Sequence, residues 1–457
     1  MSDFHEILAQ IVGSEHVLLG DAIADDYAHD EALSAPPQKP LAVVRPVTTE
    51  QVSRILREAS SRKVPLTPRG SGTGLSGACI PPEGGIVLSL ERMKRVLEID
   101  LANHMAVVEA GVTLVELNEK LAEHGLVYPV YPGELSASLG GNVNTNAGGM
   151  RAVKYGVTRH HVVGLEAVLP TGEVVQTGGK LVKSSSGYDL TQLIVGSEGT
   201  LAVVTRVTLK LVPRLAHSAT LLAPFKSLEQ VTRAVPALVA TGVAPVMVEY
   251  IDQMTMMVIT AQNNVDLGIP DEIRAATTAY LLVLIEGRTA ERVDEDMQLA
   301  GGILGEHEAL DVFVLPASAA TRLVEAREKS FWSAKRAQAS DVIDVVVPRA
   351  ALADYMARVQ EIAGRHGTMI PGCGHAGDGN VHMAIFEHDP DKRHALMLEL
   401  FEAGRALGGM ISGEHGIGRE KKAYFAELED PVKIQLMKRI KQAFDPANVL
   451  NPGVLFE

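Results

Sequence analysis

Three glycine-rich stretches occupy one region of alternating strand and helix signals: "PLTPRGSGTGLSG" (Pro65 to Gly77), "YPGELSASLGGNVNTNAGGMRAVKYG" (Tyr131 to Gly156) and "LIVGSEGTLAVVT" (Leu193 to Thr205). Glycine lets backbone N–H groups approach an anion without interference from Cβ. A P-loop is excluded, because no Gly-Lys-Ser/Thr follows in the first stretch. A Rossmann turn should open a helix, yet the next regular segment is the strand-like "GGIVLSLERM". One such cluster alone is an ordinary tight loop. Three together give an extended dinucleotide ligand phosphate contacts, amide donors and an apolar bed.

The flanking segments fit an α/β region from about 40 to 212. "LAVVRP" reads as a strand, and the helix after it opens with Thr48 and Gln51 at capping-box spacing. Thr113 and Glu116 repeat that spacing, with Gly125 after the last turn. Leu201, Val203, Val207, Leu209 and Leu211 alternate as one strand that Pro213 ends. Beyond about 215, "ATLLAPF", "PVMVEYID", "AYLLVLIEG", "LDVFVLP" and "DVIDVVVP" alternate with helical patterns near 227–240 and 290–304. They suggest β-α-β units of a second α/β domain. The tail "KIQLMKRIKQAFDPANVLNPG" predicts a final helix and an extended end.

The chain of 457 residues is long enough for two or three domains. Its net charge of −14, with no dominant basic patch, argues against nucleic-acid binding. The two cysteines, Cys79 and Cys373, lack any Cys-x-x-Cys spacing, which fits a reducing compartment. The first residues carry no basic region followed by an apolar core; Phe4, Ile7, Leu8, Ile11 and Val12 have helical spacing instead. A cytoplasmic location is expected, with peripheral membrane contact left open and a homodimer as the default assembly.

Two further clusters carry chemistry. "PGCGHAGDGNVHMAIF" holds His375 and His382 on either side of a Gly-Asp-Gly-Asn turn that can fold one toward the other. By itself the pair suits a metal shell and a strand-bordering structural role equally. "ISGEHGIGREKK" places Glu414 and His415 between glycines, where a lone Glu-His pair is most simply a solvated turn. Two histidines and one carboxylate together make a metal shell with positions open for a substrate.

The ordered set Pro-Arg-Gly-Ser-Gly-Thr, Pro-Gly, Gly-Gly-Asn-x-x-x-Asn-Ala-Gly-Gly and Gly-Ser-Glu-Gly-Thr resembles the vanillyl-alcohol-oxidase type of FAD-binding domain. The resemblance covers nearly the whole chain. It is nearest to the D-2-hydroxyacid dehydrogenase branch: D-lactate dehydrogenases, the flavin subunit of glycolate oxidase, and D-2-hydroxyglutarate dehydrogenase. It implies an α+β chain with a two-part FAD-binding domain (1–214), an antiparallel-sheet α/β substrate or cap domain carrying the metal site (215–411), and a C-terminal segment returning to the FAD domain (412–457). Pro68 and Arg69, Gly70, Ser71, Gly72, Thr73 and Gly74 would wrap the pyrophosphate. Pro132, Ser136, Gly140, Gly141, Asn142, Asn146 and Gly148 would line the flavin side. Gly196, Glu198, Gly199, Thr200 and Val203 would hold the adenosine part, with Asn451 joining them from the tail. The first loop lacks the histidine that often carries a covalent flavin in relatives, so non-covalent FAD is expected.

By the same resemblance His375, His382 and Glu414 bind a divalent metal, zinc first with manganese, iron or cobalt as alternatives, and His415 is the catalytic base. The implied reaction oxidises a D-2-hydroxy acid to the 2-oxo acid, with hydride passing to flavin N5. Quinone, cytochrome c, an electron-transferring flavoprotein or an iron–sulfur subunit are the candidate acceptors. "EAREKSFWSAKRAQA" resembles the branch's carboxylate-binding segment, but Lys335 stands where an arginine is common, with Arg336 next. Asn380 is a third candidate toward the substrate, or a part of the turn. The hydroxyglutarate enzymes' lysine before the aspartate matching Asp344 is absent, which favours D-lactate or glycolate. The alternatives are a D-2-hydroxyglutarate dehydrogenase, a flavin-free two-His, one-carboxylate oxygenase, and a non-catalytic flavoprotein subunit.

Overall fold

The computed structural model describes residues 2–456. Its first sheet has four strands in the order Val17–Leu19, Ala42–Val44, Ile86–Ser89, Leu66–Arg69, the last three mutually parallel. Helices Ser2–Val12 and Thr49–Arg62 cover it, and Phe4, Leu8, Ile11 and Val12 join its core as their spacing predicts. Thr48 caps the second helix by accepting from Gln51 N at 3.2 Å. Thr113 forms the full reciprocal cap with Glu116 at the start of Leu114–Ala122.

The second sheet is five-stranded and wholly antiparallel, in the order Val96–Asp100, Met105–Glu109, Val203–Lys210, Val162–Val168, Val174–Gly178. Its central strand departs from the simple alternation expected. Val204 pairs with Ala167 but Arg206 pairs with Glu166, so Thr205 is an inserted residue. The bulge sends Val203 into the core of the first sheet, while Val204, Val207 and Leu209 enter that of the second. One strand thereby joins two cores.

The third sheet has seven strands, in the order Phe313–Val314, His217–Phe225, Ala279–Gly287, Met247–Asp252, Gly372–His375, Asn380–Ile385, Asp341–Val346. Every neighbouring pair is antiparallel, so the strand–helix alternation here does not produce parallel β-α-β units. Period-2 alternation gives each face its own core. Leu281, Val283 and Ile285 pack with residues of helices Leu228–Ala240, Ala290–Glu306, Leu352–His366 and Pro390–Ala406. Tyr280 and Leu282 face helices Gln253–Asn263 and Ala317–Glu328.

After helix Pro431–Phe444 the chain returns to the first sheet. Leu66 N donates to Val449 O and Asn451 N donates to Leu66 O, both at 2.8 Å. No helix of the described residues is long and apolar enough to cross a membrane.

Candidate active site

The glycine stretches converge. Ser71 Oγ donates to Ser136 O at 2.7 Å, joining the first to the second. Glu198 N donates to Asn144 O at 2.7 Å and Gly199 N to Asn144 Oδ1 at 3.2 Å, joining the second to the third. Gly70, Ser71, Gly72, Thr73 and Gly74, with Pro132, Gly141, Asn142 and Gly148, line one wall of a cavity of about 380 Å³. Asn142 Nδ2 is buried beside it with no hydrogen-bond partner. This row of unencumbered backbone and an orphaned amide fits a phosphate-bearing, ring-containing ligand.

Other residues of the expected flavin set serve the loops rather than the cavity. Arg69 turns its guanidinium beneath its own loop, donating to His29 O at 2.7 Å. Gly140 packs its backbone against Ala110. Thr200 Oγ1 bonds Ser197 O, and Val203 is in the core. The Glu198 carboxylate accepts from Ile417 N and Gly418 N at 2.8 and 2.7 Å. Asn451 Nδ2 donates to Ala78 O and Glu198 O. Asn146 and Gly196 line a separate cavity with Arg159.

The opposite wall is built by the third sheet. Strands Gly372–His375 and Asn380–Ile385 form a hairpin in which Cys373 pairs with His382 and His375 with Asn380. The Gly-Asp-Gly-Asn turn therefore does fold the two histidines together, ring centroids 4.9 Å apart. Glu414 Oε1 lies 3.2 Å from His375 Nε2 and 3.1 Å from His382 Nε2. The second contact is close but misaligned for a hydrogen bond, and both His382 ring nitrogens are buried without a partner. Burial with unused ligand atoms is what a metal shell requires, and the donor set suits one.

Asp344 organises the loop that brings Glu414 there. It is fully buried; its Oδ2 accepts from Ser412 Oγ and from the N–H groups of Gly413, Glu414 and His415, at 2.7 to 3.1 Å. Its Oδ1 takes Asn380 Nδ2 at 3.0 Å. Burial pushes its carboxyl up, but the charges of His415, Lys421 and His382 beside it outweigh that and hold it below the usual range. Asp344, His382 and His415 form a second trio of metal-ligand type. The Asp344 oxygens are already satisfied, whereas Glu414 Oε1 faces both imidazoles, so His375, His382 and Glu414 are the better set. The loop then threads between two halves of the molecule: Gly418 has φ +56, and a Cβ there would overlap Ser76 O.

His415 stacks on His382 at 5.0 Å with 15° between the rings, and its Nδ1 is 3.9 Å from Asp344 Oδ2. Burial pushes its imidazole down to about 4, leaving it neutral at pH 7. The side chains expected to meet the substrate carboxylate are placed elsewhere. Lys335 Nζ pairs with Glu31 at 2.5 Å, Arg336 bonds Gln262 and Ser333, and Asn380 is tied to Asp344 and Val345 O. None of the three lines the cavity. Arg327 does, only 4% exposed, its Nη2 2.8 Å from Glu249 Oε2 but misaligned, so Nε and Nη2 have no hydrogen-bond partner. Glu249, also unforeseen, accepts from His375 Nδ1–H at 2.8 Å and so orients that ring. A carboxylate inside the apolar strand "MVEYID" was the available signal.

Gly148 joins the two walls. A Cβ at that position would stand 2.6 Å from Glu414 Oε2.

Residues 214–455 match the C-terminal domain of FAD-linked oxidases, and residues 40–178 match an FAD-binding domain. The chain is 56% identical over 456 residues to an uncharacterized FAD-linked oxidoreductase of Mycobacterium tuberculosis (strain H37Rv), covering 100% of this chain and 99% of that protein. It is 37% identical to the glycolate oxidase subunit GlcD of Bacillus subtilis (strain 168), over 99% of this chain and 97% of that one. It is 36% identical to a D-lactate dehydrogenase of Anaerostipes hadrus, over 97% and 95%. A solved 4-ethylphenol oxidase from Gulosibacter chungangensis shares the fold at TM-score 0.79 and 20% identity, over 100% of this chain and 97% of that one. With both domain matches in place, the chain belongs to the FAD-linked oxidases, an FAD-linked oxidoreductase with the vanillyl-alcohol-oxidase-type FAD-binding fold.

Proposed function

We propose that the protein oxidises D-2-hydroxy acids to 2-oxo acids, with non-covalent FAD and a divalent metal, zinc first. The observation that carries this reading is the approach of Gly148 to Glu414, which sets the histidine–carboxylate cluster against the glycine-lined wall. FAD, when bound there, supplies the two-electron acceptor for the Cα–H. A divalent cation held by His375, His382 and Glu414 supplies Lewis acidity toward the substrate hydroxyl.

The chain's own residues do the rest. Arg327 offers Nε, and the Nη2 that is ion-paired with Glu249 but makes no hydrogen bond, to the substrate carboxylate, taking the role expected of Lys335 or Arg336. His415, kept neutral by burial, takes the hydroxyl proton at Nε2, because its Nδ1 faces Asp344. Charge balance supports a single substrate carboxylate. With the histidines neutral, as metal ligation requires, three carboxylates (Glu249, Glu414, Asp344) face two cations (Arg327, Lys421) among the mutually contacting groups, one negative charge in excess. A divalent cation and one monocarboxylate bring that excess to zero. D-Lactate and glycolate fit this better than D-2-hydroxyglutarate, and the flavin-free oxygenase falls away with the FAD-binding domain.

A separate electron acceptor, of the quinone, cytochrome c, flavoprotein or iron–sulfur type, completes the reading. The division at about 214 and 411 is kept as part of it. Anaerobic mixing with D- and L-lactate is the test. D-Lactate should bleach the flavin faster, and equal rates would remove the assignment. The flavin should leave with the supernatant on acid precipitation; colour staying with the precipitate would show a covalent link.

A further inference from the structure

The sheet that carries His382 continues past it as an apolar track. Side chains two apart on a strand share a face, so Ala384 and Phe386 follow His382 on the cavity side, with Val381, Met383 and Ile385 turned into the opposite core. Pairing adds neighbours row by row. Cys373 and Asp344 flank His382, and Val342 pairs with Ala384 while Ala384 N donates to Pro371 O at 2.9 Å. The first apolar row is thus one strand repeat, about 6.6 Å, beyond the metal-ligand row, and Phe386, just past the strand's end at Ile385, lines the same cavity.

Helices face this track with Met254 and Val258 from Gln253–Asn263, and Phe331 and Trp332 from Ser330–Arg336. Met254 is 40% exposed and Val258 37% exposed, apolar surface that is costly to leave wet. The nearest cations are engaged elsewhere: Lys335, whose Nζ lies 5.4 Å from the Trp332 ring centroid, pairs with Glu31, and Arg336 bonds Gln262.

We infer that the preferred substrates are 2-hydroxy monocarboxylic acids with an apolar side chain of several carbons, which lies along Ala384, Val342 and Phe386. This rests on the reading proposed above and narrows it: a methyl group or a hydrogen leaves the apolar track wetted.

The test compares D-lactate with D-2-hydroxyhexanoate in anaerobic flavin reduction by the holoenzyme. Each buried methylene contributes about fourfold, so three should raise the apparent second-order rate by about 60-fold. The gain should sit in saturation behaviour rather than in the limiting rate. Ala384→Phe, which fills the first apolar row, should collapse the ratio of the two rates toward one. Calorimetric titration should show 2-oxohexanoate binding more tightly than pyruvate without turnover. D-Lactate reacting as fast as D-2-hydroxyhexanoate overturns the inference and leaves the function standing. An unchanged ratio in a folded Ala384→Phe protein, or equal binding of the two oxo acids, overturns it as well. Reduction by neither acid removes both readings.

Discussion

Replacing Gly148 with alanine separates a Glu414 held by hydrogen bonds from one that serves as a metal ligand. The added methyl would stand 2.6 Å from Glu414 Oε2, and 3.3 Å from both Glu414 Cβ and Val157 Cγ1. Carbon–oxygen contacts relax to about 3.3 Å, so the carboxylate must retreat by about 0.7 Å. Gly148 is not among the positive-φ residues, so alanine meets no backbone strain, and the end of a glutamate side chain moves at little cost to the fold. A metal shell is far less forgiving, because ligand distances hold to about 0.2 Å. Displacements of supporting groups typically cost about 10–100-fold in metal affinity, and that loss is expected here. Gly133→Ala is the control, since its nearest neighbour, Glu328 O, would be at an ordinary 3.5 Å. Competition against a chromophoric chelator reads the affinity, and thermal melting reads the fold. Native metal affinity in a folded Gly148→Ala protein would refute the ligand role of Glu414.

Three other outcomes follow from the same geometry. His382→Ala should lower metal content and abolish flavin reduction while flavin stays bound; metal analysis showing a normal complement would return His382 to a structural role. Arg327→Lys keeps the charge beside Glu249 but loses the planar fork, and a hydrogen bond to a charged group is worth about 1.5–3 kcal/mol, so kcat/KM should fall about 10–150-fold, mainly through KM. An unaltered KM would show that another group holds the carboxylate. His415 acts only when unprotonated, so the reductive rate should be level near neutrality and fall as pH drops through about 4. In His415→Asn the rate should drop about 10²–10⁴-fold and lose that acid limb, and persistence of the limb would point to a different base.

What the sequence made legible was local or ordered along the chain. The Thr113–Glu116 cap needs only four consecutive residues, and it forms. The turn between His375 and His382 is likewise written in its own glycines. Thr205 could not be foreseen as an insertion, because the bulge is a mismatch between two strands about 40 residues apart. The cation proposed for the substrate carboxylate was hidden for a related reason. Arg327, Lys335 and Arg336 lie within ten positions of one another, and the choice among them is made by Glu249, Glu31 and Gln262, which belong to other elements. Glu249 and Asp344 were visible as carboxylates in apolar strands, and a buried charge of that kind is tolerated only with partners.

The tail contacts have a consequence for how the protein is made. Val449 and Asn451 bond the Leu66 strand, Asn451 ties Ala78 to Glu198, and the buried Lys441 ammonium donates to Thr200 O and Leu450 O. A ribosome delivers residues 65–205, with all three glycine stretches, long before it delivers residues 441–451. Until then the edge of the first sheet lacks its last partner, and the third glycine stretch lacks its anchor. The complete scaffold of glycine stretches therefore requires residues 441–451, and until they are made the first sheet keeps an open edge of unpaired backbone N–H and C=O groups.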